Sequence, residues 1–163
     1  MTTLYLIRHA RAEERDTRRY PNDMLRPLSE EGRLRFVRLA AKLSRRKVRP
    51  RVIATSPAVR CTHTAQLLVE KIRNAPPIET LDALGFGGNL AELMEWTRDQ
   101  KVDQVAWVGH EPNMSEHLAR LIGAEGASIR FAKGAVAAVT FYDEIAVGAA
   151  TLRWFVTTRL MRS

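Results

Sequence analysis

Three short segments carry side chains suited to act together on a phosphoryl group. They are Arg8-His9, Ser56-Pro57 with Arg60 three residues on, and Gly109-His110. A guanidinium is a planar, bidentate donor for phosphate oxygens. Two of them beside an imidazole lower its pKa and favour the neutral ring, the form that attacks phosphorus. Gathered in one place, two arginines and two imidazoles predict phosphoryl transfer through a phosphohistidine. Taken singly the segments say little: an Arg-His pair arises readily by chance in an arginine-rich chain, and a lone histidine at a strand end is usually structural. The force of the pattern lies in three matching positions.

Those positions are strand ends. Thr3–Ile7 reads as a short buried strand stopping at Arg8-His9. Val52–Thr55 is a second, stopping at Ser56-Pro57, where an N-cap residue followed by proline opens a helix that holds Arg60 in its first turn. Gln104–Val108 is a third, stopping at Gly109-His110. In parallel sheets ligands bind beyond the carboxyl ends of the strands, and a helix N-terminus beside them is itself an anion site.

Helices lie between the strands. Ser29 caps one, with Glu30 and Glu31 placed against the helix dipole and Leu34, Val37, Ala40 and Ala41 at helical spacing. Leu68, Val69 and Ile72 face the second, which Asn74-Ala-Pro-Pro breaks. Leu81–Leu90, with three glycines, reads as a flexible loop and Ala91–Arg98 as a short helix. Met114, Leu118, Leu121 and Ile122 mark a further helix that Gly123 stops. Ala135–Tyr142 and Thr151–Thr157 alternate as two mutually antiparallel strands. The expected fold is α/β: a three-layer α/β/α sandwich with a mostly parallel sheet covered on both faces.

Composition sets the bounds. The 163 residues, 45% hydrophobic and 27% charged, fit one globular domain, 1–163, rather than a fibrous or disordered chain. No apolar run approaches the ~20 residues that span a bilayer, and the N-terminus does not read as a secretory signal. The single cysteine, Cys61, excludes an internal disulfide and a multi-cysteine zinc site. The expected location is the cytoplasm. The net charge of +8 attracts phosphates, nucleic acid or acidic surfaces without choosing between them. Its densest run, Arg45, Arg46, Lys47, Arg49 and Arg51, falls in a predicted loop.

Leu6-Ile-Arg8-His9-Ala10 resembles the Arg-His-Gly signature of the histidine phosphatase superfamily, the phosphoglycerate mutase-like proteins. Four further segments resemble its small branch of SixA-like phosphohistidine phosphatases: Arg26–Gly32, Ser56–Ala65, Val108–Asn113 and Lys133–Val136. The resemblance implies a phosphoglycerate mutase-like fold and a phosphatase working through a covalent phosphohistidine on His9. It implies that Arg8 and Arg60 bind phosphate oxygens and that His110 donates to the phosphoryl group. No metal and no organic cofactor are implied. Arg26 is either a supporting residue or half of a structural salt bridge. Ala10 replaces the signature glycine, a small change.

The general acid of larger relatives has no clear counterpart; Asp82 and Glu111 are the candidates. An alkoxide leaves badly unless a placed acid protonates it, whereas a phosphorylated imidazole takes a proton from solvent. The expected substrate is therefore a phosphohistidine-containing protein. The alternatives are a small-molecule phosphomonoesterase and a non-catalytic anion- or nucleic-acid-binding module; no partner membrane is expected. His63 and His117 read as structural or exposed, Cys61 as a small buried residue, Trp96, Trp107 and Trp154 as core or interface, and Lys133 as a pocket-rim or turn lysine.

Overall fold

The computed structural model describes residues 1–161. Six strands form one sheet: β1 (Thr2–Arg8), β2 (Val52–Thr55), β3 (Ile78–Thr80), β4 (Gln104–Gly109), β5 (Val136–Phe141) and β6 (Ala150–Val156). Their spatial order is β3-β2-β4-β1-β5-β6. The β1–β4, β2–β4 and β2–β3 pairings are parallel, while β5 runs antiparallel to both β1 and β6. Four helices cover the sheet: α1 (Glu30–Arg45), α2 (Val59–Val69), α3 (Leu90–Gln100) and α4 (Asn113–Leu121).

Alternation along the strands separates two cores. Leu4, Leu6 and Trp107 point to the face covered by Leu93 and Met94 of α3 and by Met114, Leu118 and Leu121 of α4. Tyr5, Ile7 and Val108 point to the other face, against Phe36, Leu39 and Leu43 of α1 and Ala65 and Leu68 of α2. The helical residues recur every three or four positions, so each helix turns one apolar stripe inward. Truncating one such side chain, Leu39 for example, costs about 2–5 kcal/mol.

The predicted α/β sandwich is the architecture observed, with three local corrections. Helix α2 does not begin at Ser56-Pro57: its N-cap is Ala58, and the Ser56 hydroxyl is engaged elsewhere. Strand β3 is missing from the sequence reading, because one half-buried and two exposed residues at a sheet edge carry no apolar alternation. The segment read as a loose loop over Leu81–Leu90 holds a 3-10 turn, Asp82–Leu84, that buries Ala83 and Leu84. The Ser29 cap on α1 is present, accepting from the Gly32 N–H at 3.0 Å. No helix among the described residues is long and apolar enough to cross a membrane.

Candidate active site

Strand register brings the three segments together. Arg8 pairs with Gly109 across β1 and β4, and the His9 N–H donates to the Gly109 carbonyl at 3.0 Å. On the other side of β4, Thr55 pairs with Val108, and the Ser56 N–H donates to the Val108 carbonyl at 3.0 Å. His9, Ser56 and His110 are thus the first residues past three adjacent strand ends. Arg60 follows in the first turn of α2. A cleft of about 300 Å³ is lined by Arg8, His9, Arg60 and His110, with Arg26, Phe86 and Lys133 around them.

The signature turn is held rigidly. The Ala10 N–H donates to Thr64 Oγ1 at 3.0 Å, and that hydroxyl donates to the Arg60 carbonyl at 2.7 Å, tying the turn to α2. Gly134, at φ +76, donates its N–H to the His9 carbonyl at 2.9 Å, a backbone conformation that side chains disfavour. At Gly32, a Cβ would lie 2.0 Å from the Arg11 carbonyl oxygen. The start of α1 therefore packs directly on the chain leaving the signature.

Each imidazole has one nitrogen committed. His9 Nδ1 lies 2.7 Å from the Ala10 carbonyl; a carbonyl only accepts, so Nδ1 carries the proton and Nε2 keeps its lone pair. Burial, followed by His110, Arg60 and Arg8, pushes the His9 pKa down to about 3, against the opposing pull of the Ala10 bond. Burial, then Arg60 and Arg8, pushes His110 down to about 4. Both rings are therefore neutral near pH 7, and they meet edge to face with centroids 5.4 Å apart. His110 Nε2 lies 2.8 Å from Ser56 Oγ.

Both guanidiniums are anchored with donors to spare. Arg8 donates from Nη1 to the Phe131 carbonyl at 2.9 Å. Arg60 donates from Nη1 to the Asp23 carbonyl at 2.9 Å and pairs through Nη2 with Asp23 Oδ2 at 3.2 Å. The Nε of each is buried without a hydrogen-bond partner among the described residues. Asp23 also accepts from Arg26 Nε at 2.8 Å. The Arg26 bond, more than any other contact, holds the Asp23 carboxyl below its ordinary range. Arg26 is thus an ion-pair partner on the cleft wall, as one of its two sequence readings had it.

The acid candidates separate. Asp82 is exposed and does not line the cleft. Glu111 lines it, but both carboxylate oxygens are occupied: Oε1 accepts from the Ser115 N–H and Oε2 from the Ser115 hydroxyl, each at 2.8 Å. Glu13 and Glu14 also lie on the wall. Among the described residues, no group of three or more His, Cys, Asp or Glu side chains is arranged to hold a metal ion.

Two residues in contact with Arg60 escaped the sequence reading. Asp23 opens a 3-10 turn, Asp23–Leu25, inside a charged stretch of sequence where one more acid carries no signal, though its spacing to Arg26 is that of a local ion pair. Phe86 stacks on His110 at 4.5 Å and lies 5.6 Å from the Arg60 guanidinium, yet is 61% exposed. An exposed aromatic among glycines was the available clue. Of the residues set aside from the sequence, Lys133 is part of the cleft lining, whereas Cys61 and His117 are not. Cys61 is buried 3.5 Å from His110 Nε2, and burial pushes its thiol up to about 12, which leaves it inert. His117 is buried against Trp107, whose indole donates to Thr97.

A family model, the histidine phosphatase superfamily (branch 1), matches residues 4–85. The chain belongs to this superfamily. Its fold is also that of a solved structure of the protein histidine phosphatase SixA complexed with tungstate. That match has a TM-score of 0.86 and 22% identity, covering 99% of this chain and 100% of that one. A putative SixA from Nakamurella multipartitia superposes with TM-score 0.75 at 24% identity, over 96% of this chain and 95% of that one. An uncharacterized protein of Picosynechococcus sp. is 28% identical over 116 residues, 69% of this chain and 68% of that protein.

Proposed function

We propose that this chain, acting as one domain over residues 1–163, is a phosphatase that forms a covalent phosphohistidine on His9 and prefers protein phosphohistidine as substrate. The observation that carries the reading is the neutral His9 ring, its Nδ1 proton committed to Ala10, sharing one cleft with two anchored guanidiniums. The fold shared with SixA supports it.

In the first step Arg8 and Arg60 bind the phosphoryl oxygens, and their charge offsets that of the incoming anion. His9 Nε2 attacks phosphorus as the bond from phosphorus to the substrate nitrogen breaks. The departing imidazole takes a proton from solvent. In the second step water attacks phosphorus, the bond to Nε2 breaks, the water's proton passes to solvent and inorganic phosphate leaves. Ser56 Oγ accepts from the Ala58 N–H, so its own proton is available to His110 Nε2. The His110 ring proton then resides on Nδ1 and is donated to a phosphoryl oxygen as charge builds in the transition state.

The state of the two acids nominated from the sequence supports this substrate class. Glu111 is held by Ser115, and Asp82 is outside the cleft, so neither stands ready to protonate an alkoxide. Incubation with phosphoramidate should give an acid-labile, base-stable phosphoryl adduct that is absent in His9→Ala. Turnover should fall at least ~10³-fold in that variant, the scale of losing a nucleophile. Glu111→Gln should hydrolyse phosphohistidine and aryl phosphate alike, within about threefold of wild type. Full turnover by His9→Ala would end the proposal. A large loss in Glu111→Gln confined to alkyl phosphates would move the reading to a phosphomonoesterase.

A further inference from the structure

Beside the cleft lies a second, larger cavity of about 380 Å³ that shares Arg8, Glu14 and Lys133 with it. Its lining includes six cationic side chains, Arg8, Arg11, Arg35, Arg130, Lys133 and Arg159, against a single acid, Glu14. Arg11 and Arg35 are partly neutralised by Glu31. Arg130, Lys133 and Arg159 are exposed and have no ion-pair partner among the described residues. Partial desolvation first, then the nearby Arg8 and Arg11, lowers the Lys133 pKa.

We propose that this groove is a docking site for a carboxylate-rich polypeptide segment flanking the phosphorylated residue of the substrate protein. The inference rests on the phosphatase reading above and adds the part of the substrate that lies outside the cleft. The six cations come from separate parts of the fold: the end of β1, the loop after it, α1, the segment before β5 and a 3-10 turn at Thr158–Met161. Spread in this way they match a row of carboxylates rather than one compact dianion, which would need donors converging on a point. Charge complementarity of this kind sets partner choice and encounter rate. Single-stranded nucleic acid is a poorer fit, because it uses exposed aromatic platforms for stacking and the groove's one aromatic, Phe131, is 2% exposed.

The test uses peptides of one sequence bearing phosphohistidine, flanked by four Glu, four Gln or four Lys. Wild type should show kcat/KM about tenfold or more higher for the Glu-flanked than for the Gln-flanked peptide, with the advantage shrinking as salt is raised. The double variant Arg130→Glu/Arg159→Glu should lose that preference while hydrolysing N-phosphoimidazole within twofold of wild type. Equal rates on Glu- and Gln-flanked peptides in wild type, or an intact preference in the double variant, would overturn the proposal. So would stronger competition by an oligonucleotide of equal charge than by the unphosphorylated Glu peptide. If neither peptide nor N-phosphoimidazole is hydrolysed, the phosphatase reading fails. The groove is then judged alone by fluorescence anisotropy with the labelled unphosphorylated Glu peptide: wild type should bind it and the double variant should not, and equal binding by both overturns the docking site.

Discussion

Arg8 is the last residue of β1 and Arg60 lies past the carboxyl end of β2; Arg45, Arg46, Lys47, Arg49 and Arg51 lie before the amino end of β2. The second group is the denser in sequence, and all five of its cations are exposed. Arg51 contacts Asp103 at 3.4 Å, with 64% and 61% of the two side chains open to solvent. Such a pair contributes little, on the order of 0–1 kcal/mol. Arg60 is 2% exposed, held by Asp23 through two groups and flanked by Phe86 and two imidazoles. Burial turns the same side chain from a solvated charge into a fixed donor. The net charge of +8 counts both groups alike, so it never distinguished them; position relative to the strand ends did.

The contrast can be broken by experiment. Arg60→Ala should lower kcat/KM on phosphohistidine peptide by about 10²–10³, the usual effect of losing one charge-stabilising donor, while Arg49→Ala and Arg51→Ala stay within twofold. A comparable loss in the exposed pair would erase the distinction. Asp23→Asn should cost about tenfold, chiefly in kcat, because it loosens Arg60 and Arg26 without removing either. If Asp23→Asn matches wild type on both kcat and KM, Asp23 does not position Arg60.

A smaller effect separates the two ends by pH. His9, His110 and His117 have folded pKa values pushed down to about 3, 4 and 4, against about 6.5 in the unfolded chain. Below pH 6.5 the unfolded chain takes up protons that the folded one refuses. Stability is therefore fully present above pH 6.5 and declines as pH falls towards 4. Each buried histidine should cost on the order of 1 kcal/mol between pH 7 and 5.5. Urea titrations of wild type and His117→Gln should show the shallower pH slope in the variant; identical slopes would mean that His117 is not held neutral. The smallest effect is expected at the amino end. Arg51→Ala should change stability by no more than about 0.5 kcal/mol, and a loss above 1 kcal/mol by denaturant unfolding would show that the exposed cluster is structural.

Much of the fold was written locally. The apolar runs of β1, β2 and β4, the Ser29 cap and the spacing of α1 and α4 are short-range signals, and they lie where hydrophobic period and capping chemistry put them. The failures are local as well. Ser56-Pro57 has the spelling of a helix start, yet the Ser56 hydroxyl bonds to His110, 54 residues away, and α2 begins later. Ile78–Thr80 becomes a strand only because β2 offers a free edge. His9, Arg8, Arg60 and His110 could be nominated by residue type at strand ends, but not Asp23, which meets Arg60 across 37 residues.

What the chain's order of residues determined by itself was the set of elements and the chemistry waiting at their ends, because period, caps and side-chain type act over a few residues. The tertiary structure alone decided that β4 lies between β1 and β2. It also decided that both imidazoles are buried beside two guanidiniums and that Asp23 grips Arg60. Each of these depends on removing charges from water against partners far along the chain, and desolvation is a property of the packed molecule rather than of any segment.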